Sequence, residues 1–298
     1  MTEGPPPAIS VGLAVRNNPD EVGRCIESVL SQDLTDLELV ICDNASDDET
    51  PETLERYARE DPRARVHLNP VNVGSHENMN RVLEASRGTL FRWISSDDWL
   101  EPGALSTAVA TLAERPDAIG VTTGFTLHTP GAAPRFERYE GEFPSSPDPA
   151  ERFERMLWFF HAGDAKYDPV YGIFRRDRLM RTGRVRPNER TDWLLSAELA
   201  LAGPIVHVDE LLANRTQVYQ VGVDRAAFRR RLDPVNGERL KTSPRNLSLD
   251  LYELALNAGL DRPQLQRCRR ALRRFRAHEV VRINRMRLSD TVRRAVRA

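Results

Sequence analysis

The chain has 298 residues, 40% apolar and 29% charged, with 43 basic against 44 acidic side chains and a formal net charge of −1. This is the make-up of an ordinary soluble globular protein of one large or two modest domains, and no apolar run approaches the ~20 residues of a membrane span. Residues 1–7 lack the basic and apolar segments of a signal peptide, and three scattered cysteines (Cys25, Cys42, Cys268) have no zinc-type spacing, so the sequence reads as a reduced, cytoplasmic protein.

Ala8 to Val15 is an apolar strand, and Asn18-Pro19-Asp20 opens a helix with Val22, Cys25, Ile26, Val29 and Leu30 on one face. Leu37 to Cys42 is a second strand, ending at Asp43-Asn44-Ala45-Ser46-Asp47-Asp48. A helix from Thr50 to Arg59 and a short strand from Arg65 to Leu68 follow. Asn72-Val73-Gly74-Ser75 turns into a helix through Met79, Val82, Leu83 and Ala85, capped by Gly88, before a strand from Thr89 to Ile94. Repeated strand–helix units with short links predict a parallel sheet. Next come a helix from Pro102 to Glu114, a strand from Ala118 to Thr126, and a Pro-, Gly- and Ser-rich loop or ragged hairpin over 128–150. Pro149 to His161 is an aromatic helix and Val170 to Phe174 a strand. Glu189 to Ala202 is a helix stopped by Gly203-Pro204, Ile205 to Val208 is a brief strand, and the chain beyond Arg215 is helical and polar.

Three of the early strands end in polar groups: Arg16-Asn17, Asp43 and Asp97-Asp98. In a parallel sheet these ends share one edge, where ligands of α/β proteins bind. Adjacent carboxylates there suit a hard divalent ion holding a substrate's phosphates. Neither a Gly-x-Gly-x-x-Gly fingerprint nor a P-loop is present. The expectation is a nucleotide site built from carboxylates, with Asp43, Asp97 and Asp98 meeting around one cation. Without further context, Asp97-Asp98 reads as an Asp-rich turn before a helix, and Asp47 as an Asx-turn or N-cap residue.

Several motifs fall in a telling order. Leu37 to Asp43 followed by Ser46, Asp48 and Thr50 gives a strand plus Asp-x-x-Ser-x-Asp-x-Thr; Asn72-Val73-Gly74, Asn80 and Gly88 follow, then Asp97-Asp98 and Pro102. Together they resemble a family-2 glycosyltransferase of GT-A fold over roughly Ile9 to Gln217. The resemblance implies an α/β domain with a mainly parallel sheet flanked by helices. Residues 1–100 would be its nucleotide-sugar half, 101–217 its acceptor half, and 218–298 a helical, Arg-rich C-terminal extension. It further implies that Val15, Arg16, Asn17, Asp43, Asn80 and Asp97 bind the donor, with Asp43 on the nucleoside. Asp97 and Asp98 would hold Mn²⁺ or Mg²⁺ against the diphosphate. A UDP-sugar is the favoured donor, although Arg16 replaces the usual stacking aromatic; a guanidinium plane can also stack.

In the second half, Thr191-Asp192-Trp193-Leu194-Leu195 resembles the family's Glu-Asp-Trp-x-Leu segment, with Thr191 in place of the Glu. The resemblance makes Asp192 the base that deprotonates an acceptor hydroxyl, which attacks the anomeric carbon in a direct, inverting displacement. Read alone, Asp192 caps a helix and favours its dipole. Trp99, Trp193 and His161 are candidates for the sugar or acceptor pocket, with core and solvated loop as the alternatives; His207 reads as a core histidine. Arg215 matches a family Arg, but the His expected two residues later is Gln217. No Gln-x-x-Arg-Trp motif of processive members occurs, so one sugar per encounter is expected, moved to a small glycoside, natural product or lipid-linked saccharide. A sugar nucleotidyltransferase and a degenerate nucleotide-binding homologue are the rival readings.

Charge is unevenly spread. Residues 262–298 carry 13 Arg against Glu279 and Asp290, a surplus of 11, leaving −12 over residues 1–261. Leu265, Leu272, Phe275, Val280, Val281, Ile283 and Met286 are spaced for one apolar stripe. The tail reads as a helix packed on the domain or on a second copy in a homodimer, or as a peripheral contact with the inner membrane face. No nucleic-acid motif is present.

Overall fold

A computed structural model describes residues 5–137, 141–160, 169–216, 229–230, 233–234, 237 and 244–297, with backbone only for 244 and 283–297. Strands β1 (Ile9–Val15), β2 (Leu37–Asp43), β3 (Ala64–Leu68) and β4 (Leu90–Ile94) pair in parallel in the order β3-β2-β1-β4. β2 and β4 are buried along their whole length, which is why they read as mostly apolar runs, with Glu38 and Arg92 inside them, rather than as alternating ones. Helices α1 (Val22–Leu30), α2 (Thr50–Glu60) and α3 (Ser75–Ala85) make the crossovers. Val22, Cys25, Ile26 and Val29 of α1 enter the same core as Val11, Leu13 and Leu39.

A buried polar junction locks the amino-terminal edge of this sheet. Glu38 is 3% exposed and accepts hydrogen bonds from the Ser10 hydroxyl (2.6 Å), the Arg87 N–H (2.6 Å) and the Arg65 guanidinium (2.8 Å). Burial alone would raise its pKa; the bonds from Ser10, Arg87 and Arg65 outweigh it and hold the carboxyl below the usual range. Gly88 donates its N–H to Ser10 Oγ at 2.7 Å, and a Cβ at Gly88 would fall 2.5 Å from the Ser10 nitrogen, so only glycine fits.

The second half adds β5 (Trp99–Leu100), α4 (Ala104–Glu114), β6 (Gly120–His128), β7 (Arg135–Glu137), α5 (Pro149–Phe159), a 3₁₀ turn (Pro169–Tyr171), β8 (Ile173–Arg175), α6 (Arg176–Met180), α7 (Thr191–Ala202) and β9 (Ile205–Thr216). The sheet continues β4-β8-β6-β9-β5, with β8 antiparallel to both neighbours, β9 parallel to β6, and β7 forming the ragged hairpin on β6. The brief strand expected at Ile205–Val208 runs on to Thr216. Exposed Asp209 and Glu210 interrupt its apolar pattern, and a bulge around Gly124 restores pairing beyond them. The strand expected over Val170–Phe174 is a 3₁₀ turn followed by three strand residues. Neither β5 nor α6 was expected; both are too short to show a period.

The C-terminal helices α8 (Pro244–Asn257) and α9 (Arg262–Arg297) share a core with the sheet's helical layer. Leu247, Leu251, Cys268, Leu272 and Phe275 pack with Phe153 and Leu157 of α5 and Trp193 and Leu194 of α7. Asp148, the N-cap of α5, pairs with Arg267 at 2.5 Å, and Arg274 reaches Glu154 at 3.1 Å. Of the expected apolar stripe, Leu265, Leu272 and Phe275 face this core while Val280 and Val281 are exposed; the Ile283 and Met286 side chains lie outside the described residues. No described helix is long and apolar enough to cross a membrane.

Candidate active site

β1, β2 and β4 end at one edge, with Val15 opposite Asp43 and Leu13 opposite Ile94. The turns beyond them are held by the Asp43–Thr50 signature. Asp43 is buried; the Ser46 N–H donates to its Oδ2 at 2.9 Å and the Ser46 hydroxyl to its Oδ1. That hydroxyl also accepts the Asn17 N–H at 2.9 Å, and Thr50 Oγ1 accepts the Asn18 N–H at 2.9 Å. Asn17 sits in the left-handed region at φ 52°, which Asn tolerates, and exchanges two bonds with Asp47 (2.6 and 3.2 Å). The signature is a clip between the first two strand ends. Asp47 therefore bonds across to Asn17, and the local turn falls to Asp48, whose Oδ1 accepts the Thr50 N–H at 2.9 Å.

A second clip joins Asn44 to the Asn72-Val73-Gly74 turn. Asn44 accepts the Val73 N–H and donates to Asn72 Oδ1, which also accepts the Gly74 N–H, all at 2.9 Å. Gly74 has φ 87°, and a Cβ there would meet the Asp233 carboxylate at 3.1 Å. Asn80 was expected at the donor. Its amide instead exchanges two bonds with the Val185 backbone (2.8 and 3.1 Å), pinning α3 to the segment before α7.

Above this edge lies a cavity of about 510 Å³. Ala14, Val15 and Arg16, Asn44, Ser75 to Met79 (excepting Glu77), Trp93 to Ser95, Tyr171, Val185, Glu189, Thr191, Asp192 and Leu195 are among its walls. Both sequence halves therefore contribute. Asp192 lies in the first turn of α7, where the helix dipole favours a negative charge. Thr191 accepts the Arg186 N–H at 2.8 Å. Glu189 is bound by Arg229 at 2.7 Å. His76 is 92% buried, from its 8% exposure; burial holds its pKa below the usual value, against the opposing pull of Asp233, whose Oδ2 is 4.0 Å from Nδ1. Its neutral ring at neutral pH and the Arg229–Glu189 pair went unforeseen, since each depends on residues far apart in sequence.

The carboxylates Asp97 and Asp98 stand beside this cavity rather than in its wall. The Asp97 carbonyl accepts from Arg24 (3.2 Å) and the Thr216 hydroxyl (2.8 Å), and its Oδ1 accepts the Ser95 hydroxyl at 2.6 Å. Asp98 is 6% exposed; the Thr216 N–H donates to its Oδ1 at 2.9 Å, and Arg215 Nε stands 3.6 Å from Oδ2. Burial pushes the Asp98 pKa up to about 6, with Arg215 opposing and Asp97 reinforcing the rise. The long β9 supplies both partners. Its Arg215 also lies over the Tyr171 ring, 4.3 Å from the centroid, and so links the acidic turn to the cavity wall.

Asp43 does not join this pair: its oxygens are held by Ser46. Among the described residues no group of three or more His, Cys, Asp or Glu side chains could hold a metal. The pair nevertheless fits a divalent cation. It offers hard oxygen donors, its buried charge is under-compensated, and Asp97 Oδ2 has no hydrogen-bond partner among the described residues. Phosphate oxygens and water would have to complete the coordination, as is usual for Mg²⁺.

The two tryptophans expected at the sugar or acceptor pocket, Trp99 and Trp193, lie away from the cavity. Trp99 is sandwiched by the Arg24 guanidinium (3.8 Å) and the His128 ring (4.6 Å). Trp193 is 7% exposed, stacked on Phe160 at 4.7 Å and edge-on to Phe275 at 5.9 Å, because the apolar underside of α7 faces α9. His161 and Gln217 lie outside the described residues. His207 stacks on Phe143 at 4.5 Å and bonds Thr122 Oγ1 through Nδ1 at 3.0 Å, as a packed histidine does.

Residues 10–182, more than half of the chain, match the family described as Glycosyl transferase family 2. The chain belongs to that family. It is 33% identical over 113 residues to the putative glycosyltransferase EpsH of Bacillus subtilis, a stretch covering 38% of this chain and 33% of that protein. The match thus spans about a third of the relative's length. Among solved structures, this glycosyl transferase family 2 chain is similar to S. aureus TarS 1–349 in complex with UDP-GlcNAc (TM-score 0.65, 18% identity, 89% of this chain and 71% of that one). It is also similar to mannosyltransferase PcManGT from Pyrobaculum calidifontis in complex with GDP-Man and Mn²⁺ (TM-score 0.56, 16% identity, 98% and 81%). At these identities the likeness carries the fold, a GT-A-type sheet flanked by helices.

Proposed function

We propose that this protein moves one sugar from a nucleotide-diphosphate sugar to a hydroxyl acceptor, inverting the anomeric centre. One observation carries the reading. A single cavity of about 510 Å³, within the usual range for small-molecule sites, is walled on one side by Arg16 and Asn44 at the strand ends and on the other by Asp192 at the head of α7. The nucleotide-sugars bound to TarS and PcManGT, UDP-GlcNAc and GDP-Man, support a nucleotide-sugar donor, and the Mn²⁺ of PcManGT supports a divalent ion.

In this mechanism Arg16 lies flat against the base while Asn44 and the clip around Ser46 fix the loop that receives it. Asp97 and Asp98 would hold the cation, which when bound supplies positive charge for the departing diphosphate. Asp192 takes the proton of the acceptor hydroxyl, so that the oxygen attacks from the side opposite the leaving group, which gives inversion. His76, neutral, hydrogen-bonds a sugar or acceptor hydroxyl without adding charge. The acceptor is a small glycoside, natural product or lipid-linked saccharide.

The test pairs binding with turnover. Titrating UDP and GDP by calorimetry, with Mn²⁺ and with EDTA, should show a metal-dependent affinity. Asp192→Asn should keep that affinity and lose ~10²–10⁴-fold in hydrolysis or transfer. Nucleotide binding with no turnover of any nucleotide-sugar would point instead to a binding protein. Release of sugar phosphate from the nucleotide-sugar by labelled pyrophosphate, with the label entering a nucleoside triphosphate, would point to a nucleotidyltransferase.

A further inference from the structure

The Arg-rich tail divides by face once α9 is seen in place. Its inner face (Cys268, Ala271, Leu272, Phe275) is buried in the core, and Arg267 and Arg274 beside it are paired with Asp148 and Glu154. Arg262, Arg269, Arg273 and Arg276 recur at spacings of seven, four and three, which places them on one face of a helix. All four are exposed, and none has an acidic partner among the described residues. Val280, four residues further on, continues that face and is 43% exposed.

A second observation comes from α8. Leu249, Tyr252 and Leu256 share one of its faces by their spacing of three and four, and both leucines are more than half exposed. The two faces meet, because the Arg269 guanidinium lies over the Tyr252 ring, 5.5 Å from its centroid. The result is one surface in which an unpaired row of arginines flanks exposed leucines.

We propose that this α8–α9 surface docks the protein on an anionic lipid bilayer. Arginines beside the headgroups gain from the negative surface potential, and a leucine-bearing helix face can settle into the headgroup boundary as peripheral amphipathic helices do. A nucleic acid would use the arginines but leave Leu249 and Leu256 against a phosphate backbone. The surface also offers only Tyr252, already covered by Arg269, as a stacking aromatic. The bilayer accounts for both halves.

The experiment is co-sedimentation of the full chain with vesicles of phosphatidylglycerol and phosphatidylcholine in equal parts, and with pure phosphatidylcholine. Binding is expected to the anionic vesicles alone and should weaken with added salt. The triple variant R269E/R273E/R276E should lose at least ~100-fold in partition, and L249S/L256S should lose several-fold at every salt concentration. Both leave the buried face of α9 and the cavity unchanged, so nucleotide affinity reports on their folding; R269Q/R273Q/R276Q replaces the triple reversal if it does not fold. Equal partition of wild type and either variant overturns the proposal. So does binding to duplex DNA at the same salt as strong as to anionic vesicles and indifferent to the leucine changes.

Discussion

Arg215 Nε stands 3.6 Å from Asp98 Oδ2, and the next residue, Thr216, donates its N–H to the other oxygen at 2.9 Å. The end of β9 thus holds the carboxylate of the turn after β4, although 118 residues separate Asp98 from Thr216. The pairing is incomplete compensation. A guanidinium at that distance, itself turned toward Tyr171, leaves the Asp98 pKa at about 6.

That shift fixes a pH dependence. Asp98 holds its proton in the folded state up to about pH 6, whereas unfolded it loses it near the ordinary value of 3.8. Without divalent ions the group therefore destabilises the fold increasingly as pH rises through that window, by up to about 3 kcal/mol above it at ~1.4 kcal/mol per pH unit. Asp98→Asn should keep or raise the Tm in EDTA at neutral pH while abolishing Mn²⁺-dependent nucleotide binding. A clearly lower Tm for the variant at pH 8 would mean the carboxylate is a structural ion pair and not a poised ligand.

Glu38 should behave in the opposite sense. Its folded pKa lies below the ordinary 4.5, so its contribution is complete above that value and is lost as pH falls through the folded pKa. Glu38→Ala takes the buried acceptor from the Ser10 hydroxyl and the Arg87 N–H, while the Arg65 and Arg87 guanidiniums, 31% and 40% exposed, turn to water; it should cost ~1–3 kcal/mol in urea unfolding. Nucleotide affinity of the folded fraction should not change, because the junction lies at the edge of the sheet away from the cavity. A loss below 1 kcal/mol, of the order of an exposed pair, would contradict the burial argument.

The contrast between these two carboxylates explains what the sequence could disclose. β1, β2 and β4 were legible because strands buried on both faces leave predominantly apolar runs, and the convergence of Arg16, Asp43 and Asp97 on one edge follows from parallel pairing alone. The cavity wall at Asp192 was legible only through resemblance. What stayed hidden depends on contacts distant in sequence. Asn80 turned to Val185 and Trp193 to Phe275, each in a polar or apolar environment that local pattern does not encode. Asp98 finding Arg215 required the full length of β9, which Asp209 and Glu210 disguised.

The clip around Ser46 makes a prediction about the donor loop. Its hydroxyl bridges Asp43 and the Asn17 N–H, and with the Asp47 bonds it keeps Asn17 at a positive φ. Ser46→Ala should lower stability by ~1–2 kcal/mol and weaken nucleotide binding several-fold, with turnover at saturating donor little changed. Should turnover fall as far as affinity, the loop must contribute to the chemical step and not only to positioning the base.

The last prediction concerns where the domain ends. Trp193 belongs to the helix that carries Asp192, yet its ring lies against Phe160 and Phe275, so the floor of the candidate site rests on α9. Ending the chain at Leu260 would expose the aromatic underside of α7 together with Phe153 and Leu157. The truncated protein should be unfolded or aggregated, and Phe275→Ala alone should cost ~3–5 kcal/mol. Ending it after Arg282 removes none of the described buried side chains of α9 and should leave Tm and nucleotide binding near wild type. If the chain ending at Leu260 instead melts cooperatively at the wild-type temperature, α9 is an appendage and the support of α7 must come from within the sheet domain.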